Sequence, residues 1–139
     1  KTDIIMMLNG ALAGLVAITA EPLTPTPGLA IVIGSIGALI MYFGTKMLES
    51  FGIDDVVGAI PVHMFAGIFG TLVVPISNEG TSFGTQFVGT ISVCVFSFVL
   101  SYLVFLTLKA TVGLRISKAA EKLGTDKSEI GVTAYAIRD

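Results

Sequence analysis

"QFVGTISVCVFSFVLSYLVFLTL" runs from Gln86 to Leu108 without one charged residue. A helix crossing about 30 Å of hydrocarbon needs about 20 mainly apolar residues. This stretch meets that length alone, and it decides the fold class: an all-α, polytopic membrane helix bundle. Composition agrees. The chain has 139 residues, 53% hydrophobic and 13% charged, where a soluble domain carries about 25% charged. No basic patch with interleaved aromatics is present, so a nucleic-acid partner is not expected. No nucleophile–base pair or phosphate-binding loop marks an enzyme. The single cysteine, Cys94, excludes an internal disulfide and reads as a small lipid- or core-facing residue. No cofactor is implied.

Outward from that span, three more apolar stretches qualify. They are Ile4 to Ala20, Gly28 to Thr45 and Val56 to Ile76, giving spans at about 4–20, 28–45, 56–76 and 86–108. The breaks between them are plain. "EPLTPTPG" (Glu21 to Gly28) holds three prolines and cannot be helix interior. "ESFGIDD" (Glu49 to Asp55) carries three acids and a glycine, and "SNEGTSFGT" is a polar glycine loop. Every Lys and Arg lies at the N-terminus, in the middle loop or in the tail; none lies in the first or third connection. The positive-inside rule therefore places both ends in the cytoplasm. Residues 1–108 form the transmembrane region, and the charged segment 109–139 is a soluble cytoplasmic tail. Gly10 and Gly14, Gly34 and Gly37, and Gly67 and Gly70 offer faces for close helix packing in lipid.

The third span carries the only histidine. Asp54 and Asp55 open it, and acids there suit the helix start. Pro61 removes a backbone donor and kinks or starts the helix near that point. His63 lies about seven residues past the start of the span, so about 10 Å deep at 1.5 Å per residue, among Met64, Phe65, Ile68 and Phe69. An ionisable side chain at such depth is expensive and marks a functional site by default. Burial favours the neutral ring, with one donor and one acceptor nitrogen. Two readings stand: proton handover or binding of a small polar solute, and a packed histidine bonded to a backbone carbonyl. A metal site is disfavoured, because no further ligand stands at metal-binding spacing.

Three segments resemble one family. "NGALAGLVAIT" (Asn9 to Thr19), "DDVVGAIPVHMFAGIFGTL" (Asp54 to Leu72) and "VGLRIS…LGTDKSEIGVTAY" (Val112 to Tyr135) are similar, in order and spacing, to the closing third of the Amt/Mep/Rh ammonium transporter superfamily. The resemblance implies eleven spans in an inverted repeat, of which this chain supplies spans eight to eleven and the cytoplasmic tail. It implies a piece of a longer transporter in the inner or plasma membrane. It implies a homotrimer with one narrow apolar pore per subunit, ammonium or ammonia as substrate, and membrane lipid as surroundings. His63 matches the second of two histidines that touch in mid-pore and relay a proton while neutral ammonia passes. The first would lie upstream. Leu12 and Ala59 match pore-lining candidates, with helix packing as the alternative, and Thr19 offers a hydroxyl to the outer vestibule or to a backbone carbonyl.

There are departures. Gly58 stands where many members carry a second acid, and Pro61 and Met64 stand where small residues are common. In the tail, Gly124, Asp126, Ser128, Glu129, Gly131, Ala134 and Tyr135 follow the family's "GLDxSEHGExAY", while Ile130 and Val132 replace its histidine and second glutamate. The resemblance implies a regulatory role for this tail and a P-II signal protein as partner at the cytoplasmic face. Two rivals share the scaffold: an ammonium sensor or signalling protein, and an Rh-like channel for neutral gas. A third is a structural membrane module in which His63 is only packed.

Overall fold

The computed structural model describes residues 3–133, all of whose regular elements are helical. Two units divide the chain, Lys1–Cys94 and Val95–Asp139.

In the first unit, α1 (Ile4–Thr19) starts where the Asp3 carboxylate accepts from Met6 N–H at 3.0 Å. Helix α2 (Pro27–Ser50) starts at Thr26, whose hydroxyl accepts from Leu29 N–H at 3.3 Å, with proline at the first helical position. The proline-rich segment between them stays non-helical. It is braced instead: Asn78 Nδ2 donates to Glu21 at 2.9 Å, and Thr24 Oγ1 bonds Ser77 Oγ at 3.2 Å. The third helix is composite. A π-helical turn (Ile60–Phe65) leads into α3 (Ala66–Val73), and a 3-10 turn (Val74–Ile76) ends it. Its regular part begins four residues later than Val56, where the apolar run begins. Residues 51–58 are turn and irregular chain.

Helices α1, α2 and the third helix pack on one another through small residues. A Cβ on Gly14 would stand 3.1 Å from the Gly34 carbonyl oxygen, and one on Gly37 would stand 2.6 Å from Ala17 Cβ. Gly70 lies directly on the Ala17 backbone. These approaches let Ala13, Met41, Val62 and Ala66 form a buried cluster, flanked by Met6 and Val16.

Helix α4 (Phe83–Thr111) is exposed along nearly its whole length, with Thr90 its one buried residue. Helices α2 and α4, of 24 and 29 residues, are long and apolar enough to cross a membrane. Helix α1, at 16 residues, is about 24 Å long, and the apolar helix from Ile60 to Ile76 is of similar length.

In the second unit, α4 ends at Gly113, whose φ is +87° and whose N–H bonds the Leu108 carbonyl at 2.9 Å. A short α5 (Lys118–Leu123) follows, capped by Ser117 and tied by an Arg115–Glu121 ion pair at 2.6 Å. A π turn (Asp126–Ile130) completes the described tail.

Candidate functional site

The site is built where the third helix begins. Gly58 has φ +74°, a conformation glycine adopts without strain, and there the chain turns into the helix. The Asp55 carboxylate then accepts from Ala59 N–H at 2.9 Å and from Ile60 N–H at 2.8 Å, using both oxygens. That satisfies two of the donors a helix start leaves without intrahelical partners. Asp54 is exposed beside it.

Pro61 falls in the first turn of the helix, where a backbone N–H has no intrahelical partner to lose. The Val57 carbonyl, just before the helix, accepts from Asn9 Nδ2 of α1 at 3.0 Å. The bond ties the start of the third helix to α1 across 48 positions of sequence. The turn that follows is π-helical, with Ala66 N–H reaching back to the Pro61 carbonyl. Such widened turns recur at functional sites because they re-aim side chains.

The turn divides the helix into two faces. Pro61 and Val62 are buried. Phe65 presses on α2, so close that a Cβ on Gly44 would stand 2.5 Å from its ring. His63 and Met64 point the other way and are exposed. The expected apolar ring of neighbours is therefore corrected in part. Met64 and Ile68 share a groove with His63, whereas Phe65 belongs to the α2 contact, because positions four apart lie on one helix face.

That groove has a volume of about 350 Å³. Met64, Gly67, Ile68 and Thr71 line it on one side, and Gln86, Gly89, Thr90, Val93 and Cys94 on the other. Its walls are mainly apolar, and His63 is their one ionisable imidazole. Thr71 spends its hydroxyl on the Gly67 carbonyl at 2.9 Å. Cys94 is a free thiol on this wall.

The other pore candidates do not join His63 here. Leu12 and Ala59 are exposed and do not line the groove. Thr19 is exposed, and its hydroxyl donates to the Leu15 carbonyl at 2.6 Å. In the tail, Gly124 (φ +95°) ends α5, and Asp126, Ser128 and Glu129 lie in the π turn that Gly131 (φ +78°) closes. Ala134 and Tyr135 lie outside the described residues. Among the described residues, no cluster of His, Cys, Asp and Glu could hold a metal ion. Asn9 stands within a family-like motif, but its bond to the third helix is not legible in the sequence, and neither is the burial of Thr90. Thr90 had no signal short of the packing.

The family model described as the Ammonium Transporter Family matches residues 1–135. The chain is 36% identical to the ammonium transporter Amt2 of Archaeoglobus fulgidus, over 97% of this chain and 33% of that protein. It is 36% identical to a putative ammonium transporter of Synechocystis, over 99% of this chain and 31% of the relative. Against the ammonium transporter Amt2 of Methanocaldococcus jannaschii the identity is 32%, over 97% and 34%. The chain thus spans about a third of the length of the curated relatives it matches. These relatives and the apolar helices together indicate a membrane protein. With the match running through the Asn9 bond, the His63 turn and the tail alike, the chain belongs to the ammonium transporter family.

Proposed function

We propose that the chain is the C-terminal part of a transporter that moves ammonium across a membrane as ammonia plus a relayed proton, and that His63 is one half of the relay. The observation that carries this is the placement of His63. The family match covers its segment, and the π turn holds the imidazole off the packed core, on an apolar groove. The physics favours the division of labour. A bare cation is costly in hydrocarbon, whereas ammonia is small and neutral. An imidazole gives a proton from one nitrogen and takes one on the other, so a pair can pass a proton where a potassium ion finds no path.

On this reading the four apolar helices all span the membrane, with both ends of the chain in the cytoplasm, as the Lys and Arg placement favours. The protein sits in the inner or plasma membrane, assembles as a homotrimer and acts as a transporter rather than an enzyme. Leu12 and Ala59 line the conduit beyond His63. Residues 109–139 form the cytoplasmic tail through which a P-II signal protein regulates flux.

The test is uptake by the full-length protein in sealed proteoliposomes. Saturable entry of ¹⁵N-labelled ammonium, with no matching entry of potassium, is the expected result. Binding of ammonium without flux would favour a sensor and overturn the proposal.

A further inference from the structure

The apolar run of α4 from Gln86 to Leu108 is about 34 Å of helix at 1.5 Å per residue. That matches about 30 Å of hydrocarbon, so Lys109 falls where the headgroups begin. The helical path stops at Gly113, whose φ is +87°. Arg115, Lys118 and Lys122 follow close behind. Between Lys109 and Lys122 the one acid is Glu121, and Arg115 holds it at 2.6 Å. Lys109, Lys118 and Lys122 are exposed and have no ion pair among the described residues. Ser117 starts α5 by accepting from Ala120 N–H at 3.2 Å. In that helix Lys118 and Lys122 stand four apart, on one face. Leu114 and Leu123, at 53% and 58% exposure, add apolar surface beside the cations.

We propose that Lys109, Lys118 and Lys122 form a docking surface for anionic phospholipid headgroups, which hold residues 109–123 along the face of the bilayer where α4 leaves it. Charge complementarity carries the assignment. A lysine ammonium is a compact point charge on a flexible stem and suits a phosphate. Cations immediately beyond a membrane span are drawn to an anionic leaflet, and the attraction fades within a Debye length. These three lysines lie next to the end of the apolar run and spend their charge on no protein group. The Arg115–Glu121 pair neutralises the one acid that would oppose them. The exposed leucines suit the boundary between headgroups and acyl chains, which takes up apolar side chains beside lysines. The cytoplasmic leaflet is the anionic one, and the Lys and Arg placement favours that side for the tail. The proposal rests on the reading of α4 as a membrane span and not on ammonium transport.

The test is hydrogen–deuterium exchange of residues 109–123 in the full-length protein, held in nanodiscs of phosphatidylcholine alone or mixed with phosphatidylglycerol. Exchange is expected to be slower in the mixed bilayer, by about fivefold for each engaged lysine, and the slowing is expected to fade at high salt. Lys118→Gln with Lys122→Gln is expected to remove most of the difference, and Lys118→Arg with Lys122→Arg to keep it. Both side chains are exposed, so these variants leave the fold intact. Equal exchange in the two bilayers, or a slowing unchanged in the glutamine variant, overturns the proposal. So does a slowing that appears in both bilayers and only with an added P-II signal protein, which assigns the surface to a protein partner. A nanodisc exposes both leaflets, so the result depends neither on sidedness nor on flux. Failure of the protein to enter nanodiscs contradicts the span, and the proposal with it, and is told apart from exchange that ignores lipid charge.

Discussion

Asn9 and Asp55 solve adjacent problems at the start of the third helix. Asp55 serves two helix-start N–H groups, and Asn9 serves the Val57 carbonyl just before the helix. Asp54 takes no such bond, so the two neighbouring acids differ in what they contribute. Replacing Asp55 by Ala is expected to cost about 1 kcal/mol, the usual value of a lost cap, while Asp54→Ala stays within about 0.5 kcal/mol. Thermal unfolding of the detergent-solubilised protein measures both; equal losses at the two sites contradict the assignment. Asn9→Ala removes a single hydrogen bond and is expected to cost about 0.5–1.5 kcal/mol in the same measurement. The acids were legible in the sequence because a cap acts within a few residues. The Asn9 bond was not, because its partner lies 48 positions away and only the packing of α1 on the third helix brings the two together.

At the scale of elements, the glycine pattern was legible and the register of the third helix was not. Small residues at regular spacing announce close helix approach, and Gly14, Gly37 and Gly70 each meet a neighbouring helix. Gly28 meets nothing within 4 Å. Gly70→Ala is therefore expected to destabilise the helix packing by about 1–3 kcal/mol, the usual cost of overfilling a tight contact, whereas Gly28→Ala is neutral. Chemical or thermal unfolding of the two variants side by side separates them; comparable stability refutes the contact. Gly58 is a different case. Placing an acid there, as Gly58→Asp, puts a side chain at φ +74° and against the Asn9 amide. The left-handed conformation alone costs about 1–2 kcal/mol, so lower stability is expected, and an unchanged melting temperature refutes the strain. Apolar periodicity marked where the third helix lies, but it has no term for a π turn. Pro61 signalled an irregularity without saying which way it would turn the side chains that follow.

For the whole molecule, the apolar stretches were enough to set an all-helical membrane class, and the motifs were enough to set the family. What groups around His63 was not legible, since apolar residues next to one another in sequence divide between two faces of a helix. Phe65 goes to α2 and Met64 to the groove. The central claim is that His63, the one imidazole of this chain, passes the proton that accompanies ammonia. The most direct test is His63→Ala in the full-length protein, reconstituted in proteoliposomes, with ammonium-driven current and ¹⁵N uptake recorded together. The account predicts loss of the current by about a hundredfold or more, the size expected when a proton-transfer group is removed, with the protein still folded. Current and uptake unchanged in rate and in selectivity over potassium would contradict it.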